Sequence, residues 1–266
     1  MPEKVDLYHT SYGNYATEVY REVRKETYGE DFGQTSWATG DEFRQIFQWI
    51  ELKPPSAVLE IGCGTGGCAL LIAETLGSRI TGIDLNAEGI EAATGLAAAK
   101  GLDSLANFEQ CDVSRPLPFP DNTWDAAFSN DAMCHIAGRL GALKEVRRVL
   151  KPGGKYLYSD ALVITGAVSN DELATRSSIG YYLFVPSGEN EKLIEASGLR
   201  LLRAVDATEQ AARISKRWHD ARNKRKAGLI EVEGETNFLG LQRFLWCVYT
   251  LTNERRLSRI LYLAEK

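Results

Sequence analysis

The stretch Val58-Leu59-Glu60-Ile61-Gly62-Cys63-Gly64-Thr65-Gly66-Gly67 constrains this chain more than any other. An apolar, strand-like run meets a cluster of glycines, and a second apolar run follows without a break. Glycine lets the backbone turn sharply and lets another group approach it closely. The spacing predicts a strand over 57–61, a tight turn, and a helix over 67–76 that stops at Gly77. A helix start directly behind a strand end offers free backbone N–H groups, and open α/β sheets bind ligands at such strand ends. The turn is therefore expected to hold a nucleotide-like ligand.

The rest of the chain follows the same alternation. Ile80–Asp84 reads as a second strand, and Asn86 caps an alanine-rich helix that closes at Gly101. Asn107–Cys111, Trp124–Ser129 and Lys155–Ser159 read as strands three to five. A helix over 139–150 precedes Lys151-Pro152-Gly153-Gly154, which reads as its stop. Strand and helix alternating at this spacing imply a doubly wound, mostly parallel α/β sheet covered on both faces. Upstream, Tyr15, Val19, Val23 and Glu26 follow a weak helical spacing, and Gly29–Gly40 reads as a loop. Thr39 and Glu42 then form a capping-box pattern before the stripe Phe43, Ile46, Phe47 and Ile50, and Pro54-Pro55 stops that helix. Residues 161–190 and 208–255 read as helical elaborations, with Leu199–Val205 and Arg259–Ala264 as two further strands.

Composition narrows the function classes. The 266 residues amount to one large domain at roughly 100–200 residues per domain. A hydrophobic share of 44% with 25% charged residues leaves ample material for a core and excludes a disordered chain. The net charge of -5 argues against a generic nucleic-acid binder. Apolar runs are too short for a membrane span, and the start Met1-Pro2-Glu3-Lys4-Val5-Asp6 lacks the pattern of a signal peptide. Five scattered cysteines argue against a disulfide framework and for a reducing, cytoplasmic setting. Cys63 and Cys68 have no histidine at a metal-ligand spacing, so no metal is expected. Charge is uneven: residues 1–50 carry nine acids and five bases, and residues 200–226 carry nine bases and three acids. The basic run reads as a solvated face, or as a patch for an anionic substrate or an acidic surface.

The strand ends carry acids in register. Asp84 follows strand two and can accept two hydrogen bonds from a ribose diol. Asn86 is better placed as the helix cap, which frees Asp84 for that role. Leu85 would lie against an adenine face, Asp112 would accept from its amino group, and Val113 would offer its backbone amide. Glu60, directly before the glycines, would repel a pyrophosphate but suits a ligand that carries an ammonium and a sulfonium. Gly62, Gly64 and Gly66 also depart from the dinucleotide spacing. Both observations favour S-adenosyl-L-methionine (SAM) over a nicotinamide cofactor and its NAD-dependent dehydrogenase chemistry.

Taken in order, Glu60-x-Gly62-x-Gly64-x-Gly66, Asp84, Cys111-Asp112, Trp124-Asp125-x-x-x-Ser129 and Leu150-Lys151-Pro152-Gly153-Gly154 resemble a class I SAM-dependent methyltransferase over about residues 55–160. The resemblance implies a Rossmann-like seven-stranded sheet whose last strand, here Arg259–Ala264, is antiparallel. It implies a single domain over 1–266, with 1–52 as a helical lid, 53–160 as the SAM-binding core, and 161–190 and 208–255 as an inserted helical cap around the acceptor.

A narrower resemblance lies in Ser129-Asn130-Asp131-Ala132-x-x-His135, which is similar to small-molecule amine methyltransferases of the phosphoethanolamine and sarcosine/dimethylglycine types. Gly13-Asn14-Tyr15 and Tyr28-Gly29-Glu30-Asp31-Phe32 resemble the lid of the phosphoethanolamine type. The match implies His135, Asp131 and Tyr15 as catalytic residues, with Tyr8 and Tyr12 competing for the place of Tyr15. It puts Tyr15, Gln34, Trp37 and Asn130 at the cofactor beside Glu60, Gly62, Gly64, Asp84, Leu85, Asp112 and Val113. His135 would take a proton or orient an amine, and Asp131 would hold a cationic or hydroxyl acceptor or fix the lid. The basic residue that the phosphoethanolamine type carries is missing around Tyr181-Tyr182-Leu183-Phe184, although Arg176 is near. That absence and the aromatic cap favour a larger or more apolar acceptor. The expected activity is methyl transfer to a small-molecule amine nitrogen. O- or C-methylation, a SAM-binding scaffold without turnover and, less favoured, an RNA methyltransferase are the alternatives. The acceptor's identity, and whether two copies form a homodimer, stay open.

Overall fold

Side chains on both faces of a parallel strand are covered by helices, and β1 (Ala57–Ile61) is buried at every position from Val58 to Ile61. This computed structural model describes residues 5–266. Helices α1 (Tyr8–Gly13), α2 (Glu18–Tyr28) and α3 (Gly40–Ile50) precede β1. The core continues with α4 (Gly67–Leu76), β2 (Arg79–Asp84), α5 (Ala87–Ala99), β3 (Ala106–Gln110), β4 (Trp124–Ser129), α6 (Arg139–Val149) and β5 (Leu150–Ile164). After it come α7 (Asn170–Arg176), β6 (Val185–Pro186), α8 (Glu189–Ala196) and β7 (Arg200–Asp206). Helices α9 (Thr208–Lys224), α10 (Lys226–Glu233) and α11 (Glu235–Asn253) and strand β8 (Leu257–Glu265) complete the chain.

The sheet order is β3-β2-β1-β4-β5-β8-β7, with β6 beside β5. Among these strands only β8 runs antiparallel to its neighbours, as expected for the last strand. The sequence pattern does not predict the eighth strand. It exists because β5 runs on to Ile164, and Val163 and Ile164 offer an edge to Val185 and Pro186. The segment 161–190 is accordingly part strand, part helix, and not a helical insert throughout. Lys151–Gly154 lies inside β5 and does not merely stop a helix; the register against β4 slips there, between Trp124 and Ala126.

Register decides where the ligand-binding ends fall. Ile61 pairs with Ile83, Glu60 with Phe128, and Asp84 with Gln110. Gly62, Asp84, Asp112 and Asn130 therefore emerge from the same edge of four adjacent parallel strands.

One face of the sheet packs on α3, α4 and α5 through Phe43, Phe47, Leu70 and Ala93. The other packs on α6 and α8 through Leu143, Val146 and Ile194. A third core joins the N-terminal helices to the cap, with Tyr20, Val23, Tyr28 and Trp37 against Trp218, Phe238, Leu241 and Phe244. The same contact explains the uneven charge. Arg225 pairs with Glu22 and Glu26 of α2, and Lys224 with Glu26. Part of the basic run thus faces the chain's own acidic lid. Deeper in, Arg222 pairs with Glu233, which also accepts from the Tyr20 hydroxyl at 2.5 Å.

Candidate active site

The turn after β1 takes the form that the glycines predict. Gly62, Gly64 and Gly66 have φ of 72°, 52° and 77°. At Gly62 a Cβ would stand 2.3 Å from the Ala132 Cβ, so only glycine lets the post-β4 loop close over the turn. At Gly64 a Cβ would stand 2.8 Å from the Tyr12 hydroxyl. The amide of Gly64 donates to Asp84 Oδ2 at 2.8 Å, and the amide of Asn86 donates to Asp84 Oδ1 at 2.8 Å. Asn86 caps α5 by accepting from the Gly89 amide. Each Asp84 oxygen has one backbone donor and keeps lone-pair capacity for a hydroxyl. Burial raises the Asp84 carboxyl above its usual range, while three backbone amides oppose that shift. Leu85 stands 67% exposed beside it, an apolar surface on which a flat ring can lie. Asp112 closes a local turn by accepting from the Ser114 amide and hydroxyl, and Val113 packs half-buried beside it.

Glu60 is buried against the first turn of α4, where the Ala69 amide and the Cys68 thiol face it. Its Oε2 has no hydrogen-bond partner, and burial holds the carboxyl well above the usual carboxylate range. A cation brought alongside would relieve that cost. The orphaned acid, the glycine cradle and the open lone pairs of Asp84 fit SAM: Asp84 would hold the ribose, Leu85, Asp112 and Val113 would border the adenine, and Gly62, Gly64 and Glu60 would surround the methionine end.

The lid lies directly on this cradle. The Thr65 hydroxyl donates to the Gly33 carbonyl at 2.7 Å, and a Cβ on Gly67 would meet the Phe32 carbonyl at 2.5 Å. Tyr12 is buried over Gly64. Gln34 does not reach out as a ligand-binding amide: its Oε1 accepts from the Phe32 amide, and its Nε2 donates to the Glu30 carbonyl. The Trp37 ring turns into the cap core beside Trp218 and Phe244, and only its backbone amide faces the site.

Tyr15 is not placed against His135. Its ring stacks under Arg24, whose Cζ is 4.2 Å from the ring centroid, and its edge borders Gly33. Tyr8 takes that place: it lies in α1, beside the post-β4 turn, whereas Tyr15 lies in the link between α1 and α2. The Tyr8 hydroxyl meets His135 Nε2 at 2.8 Å, and His135 Nδ1 meets the Tyr181 carbonyl at 2.9 Å. A carbonyl can only accept, so the proton sits on Nδ1, and Nε2 accepts from Tyr8. Burial lowers the His135 pKa to about 4, against the opposing pull of the Tyr181 carbonyl. Burial also pushes the Tyr8 phenol well up. Both groups are neutral at pH 7.

The depressed pKa bears on stability. Between pH 4 and 6.5 the unfolded chain carries a proton on this histidine that the folded chain lacks. Stability therefore rises with pH through that window and is level above it, by about 3 kcal/mol in all. An NMR titration of His135 is expected to show a midpoint about 4, and the His135→Asn variant is expected to lose this part of the pH dependence. A midpoint at the ordinary histidine value would contradict the geometry.

Asp131 does not touch His135. It sits at φ 53°, donates its amide to Ser159 Oγ at 2.7 Å, and accepts the Trp37 amide on Oδ2 at 3.0 Å. Of the roles expected for it, fixing the lid is the one this geometry matches. Its Oδ1 accepts from Arg259 Nε at 2.8 Å, and Arg259 Nη2 donates to Asn130 Oδ1 at 3.0 Å. The sequence reading does not single out Arg259, although a lone arginine in an otherwise apolar strand is a visible signal. Thr39 caps α3, but Glu42 does not complete the capping box because its carboxylate pairs with Arg259.

The cap adds a buried cation. Arg176, the last residue of α7, is 1% exposed, and its Cζ lies 4.6 Å from the Tyr182 ring centroid and 5.1 Å from that of Phe244. Tyr182 in turn lies 4.4 Å from the His135 ring. Among the described residues no carboxylate pairs with Arg176, whose polar neighbours are Tyr182, Cys134 and Tyr8, and its Nη1 has no partner. Folding thus brings to Tyr182 the basic residue that sequence order leaves outside that segment. Cys134 and Cys63 are buried, and burial pushes both thiols up, which leaves them un-ionised.

Known proteins share the domain and the fold that carry this site. The family model described as a methyltransferase domain matches residues 59–158. Phosphoethanolamine N-methyltransferase 3 of Arabidopsis thaliana is 32% identical over 205 residues, 76% of this chain and 41% of that protein. Sterol 24-C-methyltransferase ERG6B of Gibberella zeae is 33% identical over 184 residues, 65% of this chain and 47% of that protein. The chain thus spans less than half the length of these two curated relatives. In fold it is similar to phosphoethanolamine N-methyltransferase 2 of Haemonchus contortus, solved with phosphomonomethylethanolamine and S-adenosylhomocysteine, at a TM-score of 0.81 and 20% identity over 97% of this chain and 60% of that one. The chain thus carries a methyltransferase domain on residues 59–158, set in a Rossmann-like sheet of the kind that SAM methyltransferases share.

Proposed function

We propose that this chain methylates an amine nitrogen of a small molecule that also carries a negatively charged group. The observation that carries the reading is the neutral pair Tyr8–His135, half-buried next to the cofactor cradle with its tautomer held by the Tyr181 carbonyl. SAM, when bound, supplies a methyl group on a positively charged sulfur, which needs no acid to activate it. The chain must then align a neutral nitrogen and exclude water. A histidine with a pKa of about 4 stores no proton at neutral pH. Its work is to accept a hydrogen bond through Nε2, so that Tyr8 or the amine N–H points its proton away from the reacting lone pair.

Arg176 supports the second half of the reading. A buried guanidinium without a counter-ion is costly, and an acceptor with a carboxylate or phosphate would compensate it. A neutral sterol would leave it unpaired. The expectation of an acceptor more apolar than phosphoethanolamine is thereby narrowed: the walls are aromatic, but one charge is waiting. Replacing Arg176 with Met is expected to raise KM for an anionic amine by about 10- to 100-fold, with little change in kcat. Steady-state assays on matched anionic and neutral amines check this. Equal effects on both acceptor classes would remove the anion from the proposal.

A further inference from the structure

We propose that Arg259 is a positioning residue that ties closure of the lid to the methionine end of the cofactor site. It lies in β8 with its side chain fully buried, and one guanidinium serves three residues, one in α3 and two in the loop after β4. Nη1 pairs with Glu42 of α3, Nε with Asp131 Oδ1, and Nη2 with Asn130 Oδ1. A guanidinium only donates, so the Asn130 atom facing it is the carbonyl oxygen. The Asn130 Nδ2 is thereby left as a donor without a partner among the described residues, suited to a carboxylate such as that of the methionine moiety.

The same contact controls the lid. Arg259 and the Ser159 hydroxyl both bind Asp131 Oδ1, which turns Oδ2 towards the Trp37 amide. Asp131 holds a left-handed backbone that a non-glycine residue adopts at some cost, so it stays there only while these partners hold it. Two carboxylates share one guanidinium, and removing it would leave both buried without compensation. The segment up to Trp37 is therefore latched to the binding loop through Arg259, while α3 is anchored to the same group through Glu42. Loss of the latch would free the lid and the Asn130 amide together, without touching His135.

Amide hydrogen exchange at Trp37, measured without ligand, tests this together with the affinity for S-adenosylhomocysteine. In Arg259→Lys, exchange at Trp37 is expected to quicken by about tenfold or more while β1 and α9 amides keep their wild-type rates. Affinity for S-adenosylhomocysteine is expected to fall by about tenfold in the same variant. Should that variant fail to fold, Glu42→Gln weakens the same group from the lid side and is expected to shift both readouts in the same direction. Wild-type exchange at Trp37 in whichever of these variants folds would overturn the proposal. A uniform rise at all amides would also overturn it, since that marks a residue that merely holds the fold. Wild-type protein that fails to bind S-adenosylhomocysteine would count against the cofactor; the ligand-free exchange at Trp37 still judges Arg259.

Discussion

Asp84→Ala is expected to weaken binding of SAM and S-adenosylhomocysteine by about 100-fold or more, because two hydrogen bonds to a charged group are worth about 1.5–3 kcal/mol each. Each Asp84 oxygen is aimed by one backbone amide, from Gly64 and from Asn86, and so stands ready for a diol without reorganising. The same amides are left unpaired by the substitution, which places a local cost on the turn. Thermal melting separates that cost from the loss of ligand: the variant should melt cooperatively yet show no shift on adding S-adenosylhomocysteine. Isothermal titration measures the affinity directly. A dissociation constant within about threefold of wild type would place the ribose elsewhere.

His135→Ala is expected to lower kcat by about 10²- to 10⁴-fold while leaving S-adenosylhomocysteine affinity near wild type. The imidazole contacts Tyr8, Tyr181 and Tyr182 and no group of the glycine cradle, so its loss should spare the cofactor. Tyr8→Phe should act in the same direction with a smaller loss, since Nε2 remains free to accept from the substrate. Because the His135 pKa is about 4, its protonation should not limit the rate above pH 5. An acid limb near the ordinary histidine pKa that vanishes in His135→Ala would show that this residue titrates during turnover, and would rule out a purely hydrogen-bond-accepting role for its Nε2.

The parts of the site that sequence makes legible are those set by local backbone rules. Glycines between a strand and a helix, an acid at the end of the next strand, and Asn86 as a separate cap can be read from neighbours within a few residues, and the structure places them together. The lid is harder, because Tyr8, Tyr12 and Tyr15 lie within eight residues of one another and only packing of α1 against the post-β4 turn selects Tyr8 as the partner of His135. Gln34 and Trp37 show a second limit. Their positions in the lid loop are legible, but the direction of each side chain depends on contacts within the loop and with the cap. Arg259 and Arg176 lie furthest from a sequence rule. One is 128 residues from the Asp131 that it holds, and the other gains its meaning only when α7 folds back onto Tyr182. The capping-box pattern at Thr39 illustrates the same competition, since Glu42 leaves its local partner for a buried cation.

Transfer of a methyl group to the nitrogen of an anionic amine is tested most directly by mass spectrometry, with SAM carrying a deuterated methyl group and amines with and without a carboxylate or phosphate. S-adenosylhomocysteine is expected to form in step with a product that carries the labelled methyl on nitrogen, with the anionic amines favoured and with the signal lost in His135→Ala. Label found on carbon or oxygen of a neutral acceptor, or no turnover with any amine by protein that binds SAM, would contradict an amine methyltransferase built on Tyr8, His135 and Arg176.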